Sequence, residues 1–412
     1  MKAFRTYIII LISSILILTS CSNSSSHTHI TVNKLSVDDI NSCKEIDYKN
    51  LDLSHCHAVI PKIDTIHELE VDLKSGDSVD NKQFVEKFRE YVKHFFGEVN
   101  DEYLLFQSDS KEISNLQQKQ LENAKQGDYT WYPKVSDYKQ KIADGSVSIL
   151  SLLYRDTKNS YYLWQHKDNA FPHWINKGQT IKSLDSKDIK VSSWSPTDLK
   201  SKVETVYNDG QSGSKEYKLK SENVSVEQAV SYFEKEYLKS LPCGSDGHYS
   251  LFVTRTDVYK VGSDTYGYLL NFSPAYDGVP FDSKVESVSA ESGGRPFADI
   301  YQAFMVSGND VDVVINLRFP KVTPSENAIE KIVPMQKAFD IASESLTDQV
   351  TFRVDIVQFV YSGQYNEDYT KASLRPMWKI CAYNPNDEYN YDVYVDAQSA
   401  ECTYRAYKSQ GD

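Results

Sequence analysis

The chain is 412 residues long and carries 45 basic against 58 acidic side chains, a net charge of −13, with 40% hydrophobic residues. A chain of this length can build two or three domains, each with its own core. An excess of acid with no long basic run argues against nucleic-acid binding and against adhesion of the chain to anionic lipid.

The chain opens with Lys2 and Arg5, a nearly unbroken apolar run from Tyr7 to Leu18, and then Thr19-Ser20-Cys21. A basic start, a short apolar stretch and small residues before a cleavage point form a secretory signal peptide. Leu18-Thr19-Ser20-Cys21 resembles the lipobox of bacterial lipoproteins. That resemblance implies cleavage after residue 20 and diacylglycerol and acyl groups on Cys21. It also implies lipid anchoring at the extracytoplasmic face of the cell membrane. No later stretch approaches the ~18 apolar residues of a spanning helix. Residues 21–29, with the polar run SNSSSHTH, read as a flexible tether.

Residues 30–215 are expected to form an N-terminal α+β region. Ile66 to Leu73 alternates apolar and charged residues as a half-buried strand does. A helix capped by Ser78 or Asp80 should run to Phe96, with Phe84, Phe88, Tyr91, Val92 and Phe95 on one face and Gly97 as the stop. Ser146 to Tyr154 and Ser160 to His166 read as two strands around a turn. Asp185 to Gly213 has little periodicity and is assigned to a surface connection. Residues 216–322 form a second module. In it Ser225 and Gln228 have capping-box spacing, and strands are expected at 249–254, 258–261, 266–272, 300–306 and 311–319. Residues 323–412 form the third. Its helix is expected from Thr323, kinked or split into two short helices at Pro334, and its strands at 350–360, 377–383, 391–396 and 402–407. The fold class is therefore α+β, in two or three modules that each pack a helix on an antiparallel sheet.

Met377-Trp378-Lys379-Ile380 followed by the run Tyr391 to Glu401 (YDVYVDAQSAE) resembles the closing hairpin of PepSY domains, small α+β modules of exported proteins. Ala400 stands where that family usually has Gly, and Cys402 where it has an aliphatic residue. The helix at 225–231 (SVEQAVS) is similar to the one that opens such modules. With the lipobox, the chain is similar to YycH- and YycI-like regulatory lipoproteins and to uncharacterised lipoproteins of Gram-positive bacteria. The resemblance implies a binding or regulatory role toward an extracytoplasmic protein, such as restraint of a peptidase or of a sensor ectodomain. It carries over no catalytic residue.

Candidate chemistry is sparse. Cys43, His55, Cys56, His57 and His67 are the densest set of metal-ligand types, but no spacing completes a known site, and neither metal nor cofactor is expected. Beyond Cys21, five cysteines (Cys43, Cys56, Cys243, Cys381 and Cys402) leave pairing open, with Cys43–Cys56 or Cys381–Cys402 as alternatives. Trp131, Trp164 and Trp174 could line a glycan platform, against the alternative that they fill a core. The sequence has no HExxH, GxSxG or Walker loop. The expected function is protein or ligand binding by an anchored, exported lipoprotein. Solute or glycan binding through the middle aromatics is the alternative, and an extracytoplasmic hydrolase the third reading.

Overall fold

A computed structural model describes residues 29–63, 65–72, 81–97, 104–107, 122, 149–155, 160–166, 174–176, 201–209, 215–220, 222–237, 239, 247–282, 301–309, 311, 313–315, 321–366, 371–386 and 389–408. Cys21 and Trp131 lie outside them. Residues 29–72 supply β1 (Ile30–Thr31), α1 (Asp39–Lys44), β2 (Leu51–Asp52), β3 (His57–Val59) and β4 (Leu69–Asp72). Next come α2 (Asn81–Phe96), β5 (Leu104–Gln107), β6 (Ile149–Arg155), β7 (Ser160–His166) and β8 (Trp174–Asn176). The central region adds β9 (Lys202–Tyr207), β10 (Glu216–Leu219), β11 (Glu222–Ser225), α3 (Val226–Tyr232), β12 (Tyr249–Lys260), β13 (Tyr266–Tyr276), β14 (Val279–Pro280), β15 (Gln302–Met305) and β16 (Val313–Ile315). The final third supplies β17 (Lys321–Pro324), β18 (Lys331–Ile332), α4 (Met335–Ser345), β19 (Phe352–Tyr365), β20 (Lys371–Tyr383), β21 (Tyr389–Asp396) and β22 (Cys402–Lys408).

These elements form two large sheets, each with its own core, and the fold is α+β as the alternation of helix and strand grammar implies. The first sheet runs β5-β6-β7-β8-β16-β15-β13-β12-β9, with β14 attached to β13. Helix α2 buries Val85, Phe88, Tyr91, Val92 and Phe95 in its core. Gly97 stops that helix at φ +76°, its N–H donating to Lys93 O at 3.0 Å. Helix α3 starts at the expected capping box, with Ser225 Oγ accepting from Gln228 N and Gln228 Oε1 from Ser225 N.

In the second sheet β19 and β20 form the central antiparallel pair. β21 and β4 share the far side of β20, β22 extends β21 and β17 extends β4, while β2 and β3 add parallel to β19. The segment 29–72 thus pairs with strands beyond residue 320, and β1 pairs with β18. Helix α4 covers one face, burying Met335, Ala338, Phe339 and Ala342. Trp378, fully buried beneath it, donates its indole N–H to Val333 O at 2.8 Å.

Three expectations are corrected. The helix expected from Thr323 is instead β17 and β18, and Pro334 caps α4 rather than kinking a longer helix. Backbone pairing wins over the apolar period there: Ile332 pairs with Ile30, and Ile329 N–H donates to Ile66 O at 2.7 Å. The connection assigned to 185–213 contains edge strand β9, whose alternation is too short to stand out from polar flanks. Strands expected at 249–254 and 258–261 are one strand, β12, with a register shift between Val253 and Arg255.

The closing turn accounts for the departure at residue 400. Asp396 Oδ1 accepts the N–H groups of Gln398 and Ser399 at 2.8 and 2.9 Å, and Ala400 follows at φ +62°. A side chain in this left-handed region costs about 1–2 kcal/mol, which glycine escapes at some entropic cost in the unfolded chain. Ala400→Gly is therefore expected to raise stability by about 1 kcal/mol, read as a higher urea midpoint at unchanged slope.

Candidate functional site

The two sheets meet along a seam that is polar on both sides. On the second sheet, Gln358 pairs with Lys379 and Lys379 with Tyr394 across β19, β20 and β21, on the face turned away from α4. On the first sheet, β12 and β13 contribute Arg255, Asp257, Asn271 and Ser273, and β15 contributes Gln302. The space between is a cavity of about 290 Å³ whose lining includes Arg255, Asn271, Ser273, Gln302, Gln358 and Lys379. That volume lies near the lower end of the ~300–1,000 Å³ usual for small-molecule pockets, and a crevice between sheets is a common place for one.

A hairpin fastens the seam. Asp277 (φ +48°) and Gly278 (φ +84°) make the tight turn between β13 and β14, both in the left-handed conformation that favours an Asp-Gly pair. Its arms carry Tyr276, Val279 and Phe281 from the first sheet into the core of the second. Just beyond, Asp282 N–H donates to Tyr361 O at 2.8 Å. The Asp282 carboxylate accepts Lys379 Nζ at 2.6 Å, Tyr394 OH at 2.8 Å and Ser362 Oγ at 3.2 Å. Asp392 stands 3.6 Å from Lys379 Nζ on the other side and accepts Tyr407 OH at 3.3 Å. Burial alone would drive the lysine toward its neutral form. The Asp282 carboxylate, the Tyr394 oxygen and Asp392 outweigh that effect and hold the ammonium charged well above the usual lysine range.

The opposite wall is shaped by the irregularity in β12. Two residues of β12 there oppose one fewer on β13, which brings both Thr254 and Arg255 onto the cavity. Behind it, the π-helical turn Phe233–Tyr237 presents Glu234, whose Oε1 accepts Val253 N–H at 2.7 Å. A chain of bonds then crosses the strands. Thr205 Oγ1 and Asn271 Nδ2 donate to Asp257, and Gln302 Nε2 donates to Asn271 Oδ1 at 2.8 Å. Gln302 Oε1 is buried and accepts no hydrogen bond among the described residues. Such orphan acceptors are scarce in folded proteins and call for an explanation.

The sequence-derived candidates fall elsewhere. Trp164 and Trp174 are register partners on β7 and β8, and Trp131 is outside the described residues. His57 docks the edge of the second sheet to the first: Nδ1 lies 2.7 Å from Asp209 Oδ2, and its ring stacks on Tyr207 at 4.2 Å. His67 Nδ1 lies 2.9 Å from Ser325 O. Cys43 and Cys56 are buried, Cys381 and Cys402 partly buried, and no disulfide joins any of them among the described residues. Burial pushes the Cys43 thiol up to about 12 and the Cys56 thiol higher still, so neither offers a thiolate at neutral pH. Among the described residues no group of three or more His, Cys, Asp or Glu side chains is arranged to hold a metal. Sequence reasoning missed the seam itself. Two signals point to it: the Asp277-Gly278 turn, and the polar run Thr254 to Asp257 inside a strand pattern.

No protein-family profile and no curated protein matches the sequence. Similar solved structures include an uncharacterized protein from Eubacterium rectale, at 11% identity and TM-score 0.39, covering 86% of this chain and 88% of that one. They also include the Bacillus megaterium YpeB C-terminal domain, at 13% identity and TM-score 0.31, covering 79% of this chain and 97% of the other.

Two outcomes follow from the geometry. Asp282→Ala leaves Lys379 buried with its nearest anion gone, and is expected to cost about 3–5 kcal/mol, measured by urea unfolding. An unchanged midpoint would contradict the role given to the pair. Burial, against the weaker opposing effects of the Val253 N–H and Lys235, raises the Glu234 carboxyl to about 7. The unfolded carboxyl titrates near ~4.3, so the folded state alone holds the proton between those values. Stability from this group is complete below ~4.3 and is lost as pH rises through about 7. The wild type should therefore lose stability between pH 5 and pH 8 by on the order of 2–3 kcal/mol more than Glu234→Gln.

Proposed function

We propose that this chain is an exported, lipid-anchored binding protein, held at the membrane by Cys21, whose ligand enters the crevice between the two sheets. The observation that carries this reading is the inter-sheet cavity, lined by polar side chains of both sheets, among them Arg255, Asn271, Ser273, Gln358 and Lys379. The potential nucleophile in that wall, Lys379, is held charged by two carboxylates, so the surroundings favour recognition over covalent chemistry. Anchoring is supported by the signal-like run ending at Cys21. It is also supported by the Ser-rich sequence just before β1, the strand that pairs with β18.

A regulatory contact with a second extracytoplasmic protein is a separate reading, favoured by one feature. Strand β22 pairs only with β21 among the described residues, and its Tyr404 is 54% exposed, with its ring 6.4 Å from that of Tyr391. An open edge bearing aromatic side chains can accept a partner strand.

Both halves of the main reading are testable in cells and in solution. Cys21→Ala should abolish fatty-acid labelling, and persistent labelling would remove the anchor. The small-molecule fraction of a cell-envelope digest should raise the Tm of the wild-type protein by several degrees, as any ligand selective for the folded state does. Ser273→Leu, which fills the cavity, should fold and lose that rise. A rise that persists in this variant would place binding elsewhere.

A further inference from the structure

The Asp282–Lys379 joint holds more groups than an ion pair needs. Both side chains are almost fully buried. Lys379 Nζ lies 2.6 Å from Asp282 Oδ1, which sets it about 3–3.5 Å from the carboxyl carbon, the separation of a near-attack pair. The other carboxyl oxygen, Oδ2, accepts two hydroxyls, Tyr394 OH at 2.8 Å and Ser362 Oγ at 3.2 Å. Two fixed donors on one carboxyl oxygen are the arrangement that stabilises an oxyanion. Asp392 Oδ2 stands 3.6 Å from the same Nζ, where a carboxylate can exchange a proton with it directly or through one water. Nucleophile, electrophilic carbon, oxyanion donors and proton carrier are thus gathered in one buried cluster.

Energetics favour a covalent end state. Two buried charges lose hydration that their attraction only partly offsets. An amide between the same side chains carries no charge. It leaves one C=O, already faced by Tyr394 and Ser362, and one N–H, already faced by Asp392. The water released has a way out, because Asp282 and Lys379 both line the inter-sheet cavity. Against the effect of burial, Asp282, Tyr394 and Asp392 hold Lys379 as an ammonium, so a ligand in the cavity meets no free amine. Asp282 is differently placed, because it can take the proton itself. Transfer within their shared hydrogen bond turns ammonium and carboxylate into amine and carboxylic acid without any exchange with solvent.

We propose that Lys379 and Asp282 condense into an intramolecular amide, with Asp392 carrying the proton. After transfer within the pair, Nζ bonds to Cγ, and negative charge forms on Oδ2 under the Tyr394 and Ser362 hydroxyls. Asp392 takes a proton from Nζ and returns it to Oδ1. The Cγ–Oδ1 bond breaks, water leaves, and the Oδ2 carbonyl reforms. One ammonium and one carboxylate enter, and one amide and one water result, with no oxidant or co-reactant. The bond forms whether or not the cavity holds a ligand, and it staples the hairpin of the first sheet to β20 of the second.

Mass spectrometry of the full-length protein, unfolded before measurement, tests the bond. The wild type should be lighter than Lys379→Arg by one water beyond the difference the substitution itself makes. A tryptic digest of the wild type should give one branched peptide containing residues 282 and 379, with no cleavage after Lys379. Asp392→Asn should give two separate peptides and no loss of water. A wild type with the full calculated mass and separate peptides overturns the proposal. Loss of water without a branched peptide does so too, since it marks a cyclic imide at an aspartate instead. A branched peptide formed as fully in Asp392→Asn as in the wild type overturns the step assigned to Asp392. The wild-type digest decides the bond by itself, whatever the stability of the variants.

Discussion

The relation between the two sheets depends on one buried ion pair, Asp282 with Lys379. Lys379 is 5% exposed and Asp282 3%, so neither charge has water to fall back on. Such a pair contributes little net stability against an apolar substitute, but it tolerates few arrangements. The carboxylate is already oriented by the Asp282 backbone bond to Tyr361 and by the Tyr394 and Ser362 hydroxyls. The hairpin that delivers it is fixed by the Asp277-Gly278 turn, where a Cβ on Gly278 would lie 2.9 Å from Lys62 O. Register of the second sheet against the first follows from this one joint, and the cavity beside it inherits its shape.

The seam is polar where a pair of packed sheets would ordinarily interdigitate apolar side chains. Its two halves solve the hydrogen-bonding problem differently. On the Lys379 side every charge has a partner within the protein. On the Gln302 side the network from Thr205 through Asp257 and Asn271 ends on an acceptor with none.

Local grammar was legible in the sequence, and the seam was not. The face of α2, the Ser225 capping box, the 160–166 strand and the closing β20–β22 run follow from periodicity and cap chemistry, which act over a few residues. Strand β12 was split because Thr254 to Asp257 interrupt its apolar pattern: Thr254 and Arg255 line the cavity, and Asp257 bonds Thr205 and Asn271. The 326–333 stretch carries a helical period, yet partners from residues 30 and 66 claim its backbone. Lys379 lies within the PepSY-like motif, but its partner Asp282 is 97 residues away in sequence. No local pattern links the two.

The pairing of the chain's beginning with its end has a consequence for biogenesis. β2 and β3 lie parallel to β19, so residue 51 waits for residue 352 before its backbone is satisfied. A chain made from its N-terminus emerges with these early strands unpaired and their apolar side chains in water. Most of the polypeptide must follow before the second core can close. Closure of the second core is therefore a late, long-range event in folding. Such slow, long-range closure exposes the intermediate to aggregation.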